Sequence, residues 1–161
     1  MMKYKTNVQS SYISQRPEIT EFRGNYAFLS NFYTAPIVYD GLCYANNEAA
    51  FQAQKTTYQK ERQRFCSPYL TDPAKAKVMG RKITLRPDWE HIKIQCMYEI
   101  CMSKFFQHPE LIRALLATGN AVLIEENTWG DRFWGCVNGL GENHLGNILM
   151  DIRGKLSMEP R

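Results

Sequence analysis

Turn and cap signals recur at short intervals from Asp40 to Asn143, and they cut this chain into many short elements. Asp40-Gly41 accepts the positive φ angles of a tight hairpin, so Ile37–Tyr39 and Leu42–Tyr44 are predicted to pair as strands. Asn46 is placed to cap a helix that starts near Asn47 and runs through Lys55 toward Arg64. Asp72-Pro73 opens a short helix that Gly80 can close. Asp88 is expected to cap a long helix, Trp89 to about Gln107, in which Ile92, Cys96, Ile100 and either Met97 or Cys101 recur at helical spacing and face the core. Pro109 starts another helix, with Leu111, Ile112, Leu115 and Leu116 buried and Gly119 ending it. The last helix, His144 to Leu156, turns Leu145, Ile148, Leu149 and Ile152 inward. Ile19–Phe22 and Ala121–Ile124 read as short strands, Arg23–Tyr33 as a structured aromatic loop, and Glu125–Asn143 as irregular. Helices dominate a minority of short strands, so the expected class is α+β.

Nothing repeats and no Pro/Gly/Ser linker divides the 161 residues. That length supports one core without staples. The expected domain spans 19–156, between a polar N-terminal extension, 1–18, and a short tail, 157–161. An apolar fraction of 44% with 22% charged residues is ordinary for a globular chain. No apolar run approaches the roughly 18 residues of a membrane span, and the opening residues lack the apolar centre of a signal peptide. No membrane partner and a cytoplasmic location are expected. The five cysteines and three histidines are scattered, without ligand spacing, which predicts free thiols and no metal. A net charge of +4 favours a phosphorylated ligand and is too small to argue for nucleic acid by itself.

Four stretches concentrate groups that can do chemistry. On a continuous helix Glu48 and Lys55 stand nearly two turns apart, about 20° in azimuth and roughly 10 Å along the axis, with Gln52 between them. The same residues also suit an ordinary helix surface, where Glu in the first turn is favoured by the dipole. Glu125, Asn127, Asp131 and Trp134 follow an apolar strand into an irregular loop, pairing hydrogen-bonding groups with a flat apolar surface. Arg81 in a basic turn suits a phosphate, and Trp89 at a helix start suits a planar ring. Asn143, in the glycine-rich run Gly139–Gly146, precedes a helix N-terminus that can receive an anion or simply be capped.

In order along the chain, Phe28-Leu-Ser-Asn-Phe-Tyr33, Asn47-Glu48 with Gln52-Ala-Gln-Lys55, Ala76-Lys77-Val-Met-Gly-Arg81 and Asp88-Trp89 are followed by Lys104-Phe105 and Leu115–Gly119. Leu123-Ile-Glu125, Asp131-Arg-Phe-Trp-Gly135, Gly141-Glu-Asn-His-Leu-Gly146 and Leu149–Arg153 complete the set. This ordered series, spanning roughly Phe22 to Leu156, resembles the YbiA-like N-glycosidases of the NADAR family. The chain departs from the family's usual pattern at Ala49, where histidine is common, and at Gly135-Cys136-Val137-Asn138, where a glycine run is common.

The resemblance implies a small, largely helical α+β fold and hydrolysis of a ribose C1–N bond. The implied substrates are phosphoribosylamino-pyrimidine intermediates of riboflavin synthesis or, alternatively, ADP-ribose on modified guanine, with nucleic acid a partner only in that second case. A non-catalytic module that binds NAD or ADP-ribose is the third reading. Carried over by motif, Glu48, Lys55, Trp89 and Asp131 form the expected active-site core. Arg23, Asn31, Phe32, Arg81, Glu125, Asn127, Trp134 and Asn143 are expected to bind or support substrate. Glu48 and Asp131 suit acid/base work or charge stabilisation at C1, and Lys55 suits a Schiff-base nucleophile, a route that requires no cofactor.

Overall fold

The computed structural model describes residues 16–158. Most of the expected extension, 1–18, and of the expected tail, 157–161, lies outside the described residues. The order of elements is β1 (Glu18–Ile19), a 3₁₀ helix (Gly24–Leu29), β2 (Ile37–Tyr39), β3 (Leu42–Tyr44), α1 (Asn47–Ala53), α2 (Gln59–Gln63) and α3 (Pro73–Met79). There follow α4 (Trp89–Gln107), α5 (Pro109–Ala117), β4 (Val122–Leu123) and α6 (His144–Met158). The class is α+β. Among the described residues no helix is long and apolar enough to cross a membrane.

Local signals account for most of the boundaries. Asp40 and Gly41 both have positive φ, 48° and 75°, as a two-residue hairpin turn demands, and Ile37 pairs with Tyr44. Asn46 Oδ1 accepts from Ala49 N at 2.9 Å, and Asp72 Oδ1 accepts from Ala74 N and Lys75 N, so both residues cap as expected. Helix α4 is the hub, packing against α1, α5, α6 and β2, while α1 is also wedged against α3. Ala49 and Ala53 are fully buried, which lets α1 approach these neighbours closely. The α4 stripe runs through Trp89, Met97, Ile100, Cys101, Lys104 and Phe105, whereas Ile92 and Cys96 are only half-buried at its flank.

Three expectations about elements are corrected. The first helix stops at Ala53 instead of reaching Arg64: Lys55 N and Thr56 N bond to Gln52 O and Ala53 O in tight turns. Thr56 then accepts from Tyr58 N and donates to Glu61 Oε2 at 2.6 Å, so a buried hydroxyl ends one helix and anchors the next. The Arg23–Tyr33 loop contains the 3₁₀ helix Gly24–Leu29, with Phe28 and Leu29 turned into the core. Asp88 does not cap α4, because its carboxylate is taken by Arg86 through two bonds of 2.6 and 3.0 Å.

Both predicted terminal strands shorten to two residues and meet in parallel, Glu18 opposite Val122 and Ile19 opposite Leu123. Ile124 N donates to Ile19 O and Glu126 N to Thr20 O, which carries the pairing one step into the irregular loop. The start of the described chain is therefore stitched to the strand that launches residues 125–143. All five cysteines are free.

Candidate active site

The α1 face bearing Glu48, Phe51 and Gln52, the end of the 3₁₀ segment and the loop after β4 converge on one cleft of about 480 Å³. That volume suits a small ligand. Glu48 stands in its wall, 7% exposed, with its backbone N–H donating to Asn31 O at 3.1 Å. Burial pushes the Glu48 carboxyl well above the usual carboxylate range. Opposing that rise are a 2.7 Å bond from Gln52 Nε2 to Glu48 Oε1 and the charges of Lys77 and Lys55. Gln52 is itself buried, and its other amide atom, Oε1, has no hydrogen-bond partner among the described residues. That oxygen faces the bare Cα of Gly80: a Cβ there would lie 1.8 Å from it. The glycine thus makes room for the amide that holds the carboxyl.

Lys55 lies in the turn just past α1 and still reaches the cleft. Its carbonyl accepts from Arg86 N at 2.8 Å, fixing the turn against the basic segment before α4. Burial lowers its amine below the ordinary lysine range, and the nearby charges of Arg81 and Lys77 act in the same direction against the opposing pull of Glu48. The cleft is backed by an aromatic stack: Phe51 sits 5.1 Å from Trp89 on one side and 5.3 Å from Trp134 on the other. Lys55 Nζ is 6.0 Å from the Trp89 ring.

The third wall is built on a side-chain clasp. Asn127 Nδ2 donates to Asp131 O at 2.7 Å and to Cys136 O at 3.0 Å, while its Oδ1 accepts from Asp131 N at 3.0 Å. The residues between, Thr128, Trp129 and Gly130, form an exposed tip in which Gly130 has a φ of 89°. Asp131 Oδ1 accepts from Phe133 N and Trp134 N, at 3.0 and 2.9 Å, so its position is set by backbone. Glu125, half-buried nearby, has its carboxyl pushed up to about 7, chiefly by burial and then by the charges of Asp131 and Glu48. A group with that value exchanges a proton near neutrality.

Of the twelve residues predicted from sequence, nine line this cleft: Arg23, Asn31, Phe32, Glu48, Lys55, Glu125, Asn127, Asp131 and Trp134. Three do not. Trp89 is 6% exposed and packs behind Phe51, because the first turn of α4 faces the core. Arg81 is exposed in the turn after α3 and bears on the cleft only through its charge near Lys55. Asn143, with a φ of 53°, accepts from Glu125 N and donates to Leu123 O, so it clamps the end of β4. Sequence reasoning missed Lys77, Phe22 and Trp129 as cleft residues. Lys77 shares α3 with the Ala76–Arg81 motif, a usable signal, whereas Trp129 stood out only as a second tryptophan in a polar loop.

Among the described residues no group of three or more His, Cys, Asp or Glu side chains is placed to hold a metal ion. The cleft instead brings two carboxyls of raised proton affinity beside an amine of lowered affinity.

The NADAR domain profile matches residues 19–157. N-glycosidase YbiA of Shigella boydii is 41% identical over 141 residues, 84% of each chain. Riboflavin biosynthesis protein VVA0006 of Vibrio vulnificus is 35% identical over 153 residues, which cover 93% of this chain and 41% of that protein. The NMR structure of the Escherichia coli protein YbiA aligns with a TM-score of 0.76 at 38% identity, covering 88% of this chain and 84% of that one.

Proposed function

The chain belongs to the NADAR family, and on that premise we propose that it is an N-glycosidase that hydrolyses the C1–N bond of a phosphoribosylated aminopyrimidine. The observation that carries this reading is the pairing of Glu48 and Lys55 in one cleft with opposite displacements: a carboxyl whose proton affinity burial raises and an amine whose proton affinity burial lowers. Such a pair supplies an acid for the leaving nitrogen and a nucleophile for C1. Riboflavin biosynthesis in the name of the Vibrio relative supports the choice of an aminopyrimidine.

The ribosylamine opens to an imine as the ring C1–O bond breaks and the N–H proton moves to that oxygen; neutral Lys55 Nζ then adds to C1 and passes one of its protons to the substrate nitrogen. Glu48 delivers its proton to the same nitrogen, the C1–N bond breaks, and the aminopyrimidine leaves with C1 held as a Schiff base on Lys55. Water then adds to C1, Glu125 takes one proton from it, the remaining hydroxyl proton passes to Nζ, and cleavage of the C1–Nζ bond releases ribose phosphate and the free lysine, after which the proton on Glu125 restores Glu48. Asp131, fixed through Oδ1 by two backbone N–H groups, offers Oδ2 to the ribose hydroxyls. Arg23 and Lys77 are the cleft cations that suit the phosphate.

A cleft of about 480 Å³ suits a phosphoribosyl group with one heterocycle, and ADP-ribosylated guanine is the alternative substrate to compare with it. Turnover of the two substrates side by side tests that choice. The covalent step is tested by adding borohydride during turnover, which should leave a sugar adduct on the peptide containing Lys55. Lys55→Arg keeps the charge, lacks a neutral amine and should lose both adduct and activity. A fully active arginine variant would refute the Schiff base.

A further inference from the structure

With Trp89 behind Phe51, the cleft needs another surface for the planar leaving group. Trp89 and Trp134 both have an aromatic ring, Phe51, as neighbour. Trp129 has no aromatic partner among the described residues, is 63% exposed, and lines the cleft. Its contact with charge is Lys77, whose Nζ lies 5.6 Å from the ring centroid. An indole left this open lacks the burial that usually explains a tryptophan.

Its mounting is specific. Asn127, 4% exposed, closes the short loop by bonding to both the N–H and the C=O of Asp131, so the tip that bears Trp129 and the carboxylate of Asp131 are held by one clasp. A ring carried two residues from a ribose-binding carboxylate is suitably spaced for the base attached to that ribose. Phe32, 43% exposed, lines the same cleft from the 3₁₀ segment and offers a second face. We propose that Trp129 is the specificity-determining residue that stacks on the planar amino-heterocycle of the substrate, held in register with Asp131 by the Asn127 clasp.

The proposal rests on the N-glycosidase reading for the identity of the ring, but its test needs no turnover. Calorimetry of the full chain with free 5,6-diaminouracil should show binding that Trp129→Phe largely retains. Trp129→Ala should weaken it by at least about fivefold, the lower end for one base stacked on an aromatic ring. Both variants should keep the wild-type melting temperature, since the exposed ring supports no packing. Equal affinity in wild type and Trp129→Ala, no binding by wild type, or loss of the fold in Trp129→Ala would overturn the assignment. If the base binds as expected while wild type releases no sugar from a phosphoribosylaminopyrimidine, the glycosidase reading fails and the stacking role stands.

Discussion

Replacing Gly80 with alanine tests whether the Glu48 proton is governed from outside the cleft. The backbone of Gly80, φ −62° and ψ −15°, accepts any L-residue, so Gly80→Ala should gain about 0.4–1 kcal/mol from the unfolded state. Against this, the new Cβ would lie 1.8 Å from Gln52 Oε1 and 2.7 Å from Cδ. The buried amide must move by more than an ångström, and its 2.7 Å bond to Glu48 breaks. Overpacking costs about 1–3 kcal/mol and a neutral hydrogen bond about 0.5–1.5, so after that gain the net destabilisation should be about 0.5–4 kcal/mol. For a chain of this size that lowers Tm by roughly 1–16 °C. Because the Gln52 bond is the strongest influence lowering the Glu48 pKa, its loss should move the alkaline limb of the pH–rate profile to higher pH while kcat falls. Gln52→Ala removes the clash, so adding Gly80→Ala to it should cost little, and the double-mutant cycle should show strong coupling. Additive effects, or a single variant as stable as wild type with an unmoved pH profile, would refute the reasoning.

Glu48→Gln and Asp131→Asn should each lower kcat by at least about 100-fold with Tm within a few degrees, because both amides keep a hydrogen-bonding oxygen at the same place; wild-type turnover would remove the residue from the mechanism. If Glu125 takes the proton from water, kcat should rise with pH through about 7, and Glu125→Gln should flatten that limb. Lys104 is fully buried with its amine donating to Phe28 O and Ser30 O, and burial lowers its pKa from 10.5 to about 8. The folded state therefore binds this proton less tightly than the unfolded chain, so stability should rise from pH 8 to 10.5, by on the order of 3 kcal/mol. Urea melts of Lys104→Met across that window should lack the rise; an unchanged slope would show that another group governs it.

Much of the architecture was legible because it is written in local chemistry. Asp40-Gly41, Asn46 and Asp72-Pro73 act on their own neighbours, and the structure uses each as its residue type suggests. The helix stop after Ala53 was hidden, since it depends on Thr56 finding Glu61 only after the chain has turned. Nine cleft residues were found through motif resemblance, but which tryptophan faces the cleft is decided by tertiary packing, which buries Trp89 and leaves Trp129 exposed. Asn127 and Asn143 look like ligand groups in a polar loop. An irregular backbone must also satisfy its own N–H and C=O groups, and these two side chains do that task at Asp131, Cys136, Leu123 and Glu125. Lys104 belongs to a motif of the resemblance, but its burial left no local signal, because a lysine in a helix ordinarily reads as surface.

The parallel pairing of β1 with β4 has a consequence for biosynthesis. Glu18 and Ile19 leave the ribosome before their partners Val122 and Leu123, which are made only after α1 to α5. Until then the groups of Arg23, Asn31, Glu48 and Lys55 have no opposite wall, and the nascent chain carries half a cleft. Contacts of such wide sequence separation form late and slow the final step of folding. Catalytic competence should therefore appear abruptly once β4 docks beside β1 and brings the 125–134 wall opposite α1.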